Sequence, residues 1–199
     1  MDHVTDPPAG NLSTDRLVLG TWSDRDAEGL YELSNDRQVM RHFHRTPTWE
    51  QIEEMVDRHR ENLEAGRPGL YAVRVAESEE FIGFVGLATP RFDASFMPCV
   101  EIGWRLKRDA WGHGYATEAA RAVLAHGFGT LRLEEIVSFT AVENTPSIAV
   151  MKRLGMHTDP AEDFDHPSVP EGHPVRRHVL YRLTAREWRT AHPGVHSEV

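Results

Sequence analysis

RDAWGHGYATEAARAVLAHGF, residues 108–128, decides how the rest of the chain is read. Gly112 and Gly114 form a turn that runs straight into an alanine-rich helix, predicted over Tyr115–Gly129. The first turn of a helix presents unpaired N–H groups carrying roughly half a positive charge. Glycines let the preceding backbone curl and let an anion come close. No Gly-Lys-Ser/Thr follows, as a nucleotide P-loop needs, and a dinucleotide fingerprint would need a third glycine. Arg105, Lys107 and Arg108 place three positive charges in four positions just upstream. The expected ligand is therefore polyanionic, with a diphosphate on the turn. A lone Gly-x-Gly also fits a tight strand-to-helix turn that binds nothing. Two neighbours weigh against that. The preceding strand carries an acid, Glu101, among apolar residues, and a second helix-start motif, ENTPSIAVMKRLGM (143–156), follows the next strand.

Working outward, RLVLGTW (16–22) alternates as a strand and meets Ser23, a capping residue for a helix over Asp24–Asn35. A second helix occupies TPTWEQIEEMVDRHRENLEAG (46–66), with Thr48 and Gln51 as capping box and Gly66 as stop. LYAVRVA (70–76) and FIGFVGLA (81–88) are strands of an antiparallel hairpin, and CVEIGWRL (99–106) continues the row. Beyond the glycine turn come a strand, EIVSFTAV (135–142), and a short helix in 144–155, with Pro146 near its start and Gly155 at its end. A short strand after Gly155, a long polar loop to Pro174 and a strand over 175–183 complete the pattern. The expected fold is α+β: one domain over 12–188, with a central, mostly antiparallel sheet flanked by about four helices and flexible tails at 1–11 and 191–199.

A chain of 199 residues suits one domain. Its net charge of −9 argues against a general nucleic-acid binder. No apolar run approaches the ~18 residues of a membrane helix, and MDHVTDPPAGN lacks a signal-peptide core. The single Cys99 cannot form an internal disulfide, and the expectation is a cytoplasmic protein. Cys99 itself reads as a buried small side chain.

EIGWRLKRDAWGHGYATEAARAVLAHGF followed by VENTPSIAVMKRLGM resembles the Gcn5-related N-acetyltransferase (GNAT) superfamily, closest to its ribosomal-protein-alanine acetyltransferase-like branch. DRLVLGTWSDRDAEGLYEL and FIGFVGL fit the same pattern, so the likeness covers most of the chain. The resemblance implies acetyl-CoA as acyl donor and no metal. Its pyrophosphate would rest on Gly112, His113, Gly114, Tyr115, Ala116 and Thr117, and its pantetheine arm along Trp104, Arg105 and Leu106, with Arg108 and Asn144 assisting. The chain departs from the superfamily at Asp109, where Gln or Arg often stands. The implied partners are an acyl-CoA and an amine acceptor, with neither nucleic acid nor membrane; a homodimer stays open.

Acetyl transfer to an amine needs a proton acceptor, stabilisation of the carbonyl oxygen and a donor to the leaving thiolate. Glu101 is the candidate base, since burial of a mid-strand carboxylate raises its pKa toward neutrality; the competing reading turns it to solvent. The resemblance makes Ser147 the candidate donor to the thiolate and brings Asn144 to the cofactor arm; their plain role is helix capping. Tyr115 is a weaker donor. Cys99 has no evident partner, so the reaction is expected to be direct attack in a ternary complex. The histidines between 157 and 178 match no zinc spacing.

The reading is an acetyl-CoA-dependent N-acetyltransferase acting on a protein N-terminus or a small amine. An open groove would suit a peptide, and a pocket closed by the 159–174 loop a small molecule. The negative charge and the acid-rich 159–165 segment favour a cationic acceptor. The alternatives are a non-catalytic acyl-CoA-binding regulatory module and a nucleotide-binding module.

Overall fold

The computed structural model describes residues 10–193. The expected tails lie outside the described residues over 1–9 and 194–199. Nine strands form a single sheet. The first four are β1 (Leu12–Ser13), β2 (Leu17–Gly20), β3 (Leu70–Val75) and β4 (Phe81–Ala88). β5 (Glu101–Leu106), β6 (Glu135–Ala141), β7 (His157–Thr158), β8 (Phe164–Asp165) and β9 (Arg177–Thr184) follow. The order is β1-β2-β3-β4-β5-β6-β9-β7, with β8 also on β9. Every pairing is antiparallel except β5 with β6. The fold is α+β around a mostly antiparallel sheet, as the sequence pattern implied.

Helices cover both faces. On one lie α1 (Asp24–Asn35) and α2 (Trp49–Glu64), each opened by a capping box, Ser23 with Asp26 and Thr48 with Gln51. Their apolar stripes pack with Trp22, Leu30, Ile52, Val56, Leu70 and Phe84. On the other lie α3 (Tyr115–Gly129) and α4 (Thr145–Arg153). Ala119 and Ala120 of α3 are fully buried, and these small side chains let the helix sit close to Ile102 and Leu106. β4 is buried along its middle because it is covered from both sides.

A fifth helix, α5 (Ala185–Ala191), extends past the four expected from the sequence. Its start signal is present: the Thr184 side chain accepts from the Glu187 N–H, and the Glu187 carboxylate accepts from the Thr184 N–H. Among the described residues no helix is long and apolar enough to cross a membrane.

The decisive break is between β5 and β6. Their parallel pairing holds one register pair, Glu101 with Val137, supported by the Val137 N–H to the Val100 carbonyl and by Ser138 Oγ to the Ile102 carbonyl. Residues 103–106 have no register partner on β6, whereas β4 pairs with them on the other side. The sheet therefore opens from Gly103 onward, toward the start of α3.

Candidate active site

The opening leads into a cleft of about 1030 Å³. Trp104, Arg105 and Leu106 form one wall, and Gly112, Gly114 and the first turns of α3 another. Gly112 and Gly114 have φ of 80° and 81°, the left-handed region open to glycine at little cost. Gly114 is the N-cap of α3 and offers no side-chain acceptor, so the helix's first N–H groups stay free for a ligand.

Further cationic residues line this cleft. Arg16 enters between β1 and β2, stacks over the Tyr115 ring at 4.9 Å and donates from Nε and Nη2 to one Glu118 oxygen, Oε2, at 2.8 and 2.5 Å. Burial alone would raise the Glu118 pKa, but hydrogen bonds from Thr14 and Arg16 hold it low. Arg121, one turn beyond Thr117 on α3, and Arg153, at the end of α4, line the same cleft. Trp188 of α5 and His192 just beyond it line its far side.

Of the residues singled out from the sequence, Trp104, Arg105, Leu106, Gly112, Gly114, Tyr115, Ala116, Thr117, Asn144 and Ser147 all line the cleft. Arg108 and His113 do not. Arg108 is exposed beside Asp109, its Nε 3.7 Å from that carboxylate, and the His113 ring stacks on Tyr115. Lys107 turns toward Glu80. The basic run before the glycines therefore contributes one cleft-lining side chain, Arg105.

A second cavity, of about 330 Å³, opens on the α1–α2 side of the same split. It shares Trp104, Arg105, Asn144 and Ser147 with the larger cleft, so the two meet there. Glu101 and Gly103 lie on its β5 wall. Burial alone raises the Glu101 carboxyl to about 8, and no charged neighbour contributes. Ser147 stands in the first turn of α4, where its N–H donates to Asn144 Oδ1 at 3.4 Å; the cap uses its backbone and not its hydroxyl. Asn144 also donates to Thr140 Oγ1 at 2.8 Å, which fixes the turn after β6.

The remaining walls are aromatic and imidazole. Phe139, His166 and His178 stand on one side, within a packed group that includes Phe92 and Phe164. Burial, with His178 nearby, lowers His166 to about 4, and burial also lowers His178. Both rings are therefore neutral at pH 7. His42, Phe43 and His44, after α1, supply the opposite wall, and Val169 and Val175 of the long loop complete the enclosure. Of the loop's acids, Glu162 pairs with Arg182 at 2.6 Å and Asp165 with Arg176 and Arg177 at 3.4 Å, while Asp163 Oδ1 is buried without a hydrogen-bond partner. Cys99 precedes β5, and burial raises its thiol to about 11, with Glu101 adding to the rise, so no thiolate is on hand at neutral pH.

The model of the acetyltransferase (GNAT) domain family matches residues 16–157. The chain belongs to the GNAT acetyltransferase family. A Bacillus subtilis relative described as an uncharacterized N-acetyltransferase, YnaD, is 27% identical over 180 residues, covering 89% of this chain and 99% of its own. A GNAT-family acetyltransferase structure from Bacillus anthracis superposes with a TM-score of 0.71 at 24% identity, covering 89% of this chain and 99% of that one. Mycobacterium smegmatis RimJ, solved in complex with CoA-disulfide, has a TM-score of 0.67 at 22% identity, with 86% and 83% covered. In this GNAT chain the split sheet, the glycine turn and the basic rim fit a long anionic thioester donor: diphosphate on free N–H groups, and an extended arm against the open edge of β5.

Several residues in or beside the two cavities left no mark in the sequence. Arg16 and Thr14 precede α3 by about a hundred positions and meet it through Glu118. Residues 42–44 read as an unremarkable connection. For Arg121 a signal was available, because it follows Thr117 at i+4 and so shares its helix face.

Proposed function

We propose that this protein transfers the acetyl group of acetyl-CoA to a small primary amine by direct attack, with no covalent enzyme intermediate. The observation that carries this reading is that the two cavities meet at the split of the sheet, with Glu101 on the smaller side and the glycine turn on the larger. Acetyl-CoA supplies the activated acyl carbon. The chain supplies the rest. Free N–H groups at Gly112–Thr117 hold the pyrophosphate, and β5 lines the arm. Glu101 takes a proton from the acceptor amine, directly or through one water. Ser147 Oγ–H is free of the α4 cap and is assigned to donate to the leaving thiolate.

Only ionised Glu101 can accept a proton. With its pKa raised to about 8, activity should rise as pH passes through that value. The high thiol pKa of Cys99 argues against an acyl-cysteine route. A cavity of 330 Å³, closed partly by Val169 and Val175, favours a small molecule over a peptide threaded through an open groove. Cytoplasmic location and a single domain over 12–188 are part of the same proposal.

The test has two arms. Acetyl-CoA and CoA should raise the melting temperature, and ATP and NAD should not, because only a ligand bound to the native state stabilises it. Thiol release from acetyl-CoA should require an added small amine. Stabilisation without amine-dependent release would instead favour a non-catalytic acyl-CoA-binding module.

A further inference from the structure

Arg105 is the one cationic side chain at the junction of the two cavities whose charge goes unanswered. It is half-buried, and burial alone pulls its pKa down to about 10. Nη1 donates to the buried Ser34 Oγ at 3.2 Å, while buried Nε has no hydrogen-bond partner. The guanidinium lies over the Phe43 ring at 4.2 Å and near Phe84 at 5.4 Å. Among the described ion pairs no carboxylate reaches it. A half-buried guanidinium without a counter-charge is costly, and its planar fork matches a carboxylate in two parallel hydrogen bonds.

Its place on the strand says which ligand can reach it. Glu101, Gly103 and Arg105 alternate onto one face of β5, opposite Ala88, Gly86 and Phe84 of β4. Ile102 and Leu106 face the other way, into the α3 core. Glu101 and Arg105 therefore stand about 13 Å apart at their Cα atoms, from ~3.3 Å per residue. Gly103 keeps the lane between them clear: a Cβ there would meet nothing nearer than Glu101 Oε1 at 3.8 Å.

We propose that Arg105 docks a carboxylate carried by the acceptor, so that the acceptor is a small amino-carboxylate with its amine toward Glu101 and its acid toward Arg105. This rests on the smaller cavity being the acceptor site. The ring face of Phe43 holds the guanidinium flat, and the Ser34 hydrogen bond fixes one edge. Nε is left as a free donor on the other.

The experiment compares matched acceptors: amino acids and ω-amino acids beside the amines in which a methyl group replaces the carboxylate, for example 5-aminopentanoate and pentylamine. In the wild type the carboxylate member should have the higher kcat/KM by at least about tenfold, the worth of roughly one charge-assisted contact. In Arg105→Met that preference should collapse through KM, with acetyl-CoA affinity kept, and Arg105→Lys should restore part of it. A wild type that treats the pair alike would overturn the proposal. So would an Arg105→Met protein that loses acetyl-CoA affinity, since the side chain would then serve the donor.

A binding readout separates this inference from the catalytic one. Pentanoate, which has no amine, should raise the melting temperature of the CoA-saturated wild type above a chloride control of equal ionic strength. It should do less to either variant. If acetyl transfer failed but this shift appeared, the carboxylate site would stand and the transferase reading would fall. An equal shift in wild type and variants would remove the site.

Discussion

The two ends of β5 are built from different kinds of sequence. At Leu106 the strand runs through a short connection into Gly112, Gly114 and α3, so the glycine turn and the helix start it opens are contiguous. At Glu101 the strand enters a cavity whose walls come from residues as far apart as His42 and His178. The first end was readable because glycine conformation, helix termini and charge runs are local physics. The second depends on which loops the sheet order brings together, and one sequence does not record that.

Removing the chemistry at one end should leave binding at the other untouched. Glu101→Gln should lower kcat by about 10²–10⁴, the usual range for loss of a general base. Calorimetry should find acetyl-CoA affinity unchanged. A joint loss of both would mean the two ends are not separable.

Next in size is a stability effect at the same residue. The folded-state pKa of Glu101 is raised from 4.5 to about 8, so the folded protein holds this proton more tightly than the unfolded chain. Stability is therefore lost as pH rises between those values and recovers as pH falls. Glu101→Gln lacks this penalty. It should be more stable than the wild type at pH 9 by on the order of a few kcal/mol, and close to it at pH 4. Parallel denaturation curves at the two pH values check this, and an equal offset at both would deny the buried, neutral carboxyl.

At the other end, Gly114→Val forces a branched side chain into a backbone with φ of 81°. A Cβ there meets only Arg16 Nη2 at 3.6 Å, so the cost is backbone strain, on the order of 1–2 kcal/mol. The fold should survive while CoA affinity drops by at least about tenfold. Unchanged affinity in a folded variant would detach the phosphates from the turn.

The smallest effect is expected at the junction. Ser147→Ala keeps the α4 cap, which uses only the Ser147 N–H. Loss of one hydrogen bond to the leaving thiolate should lower kcat by roughly threefold to tenfold without changing the melting temperature. A fall in stability instead of rate would assign the hydroxyl to structure.

How much of the fold was legible follows the same division. Most of the sheet, α1–α4 and the place of the glycine turn came from period, capping residues and glycine positions, whereas the two-residue strands β1 and β8 were not expected. α5 was passed over although Thr184 and Glu187 spell its capping box, because the strand before it ends without a turn residue. The Arg16–Glu118 pair joins residues 102 positions apart, and no local pattern announces it. Arg105 was visible as part of a basic run but not as a half-buried side chain. Its alternation with Lys107 and Arg108 gave no hint that one charge would be enclosed and the others left to solvent or Glu80.

The central claim is that Glu101 is the proton acceptor, held apart from the donor site on the same strand. The most direct test is the pH dependence of kcat/KM for an acceptor amine at saturating acetyl-CoA, in the wild type and Glu101→Gln. The wild type should climb with an apparent pKa near 8. The variant should lack that limb and gain only as the amine itself loses its proton, so that the two converge at high pH. A variant with near-normal rates and the same limb would show that the proton goes elsewhere and that Glu101 is only a residue of β5.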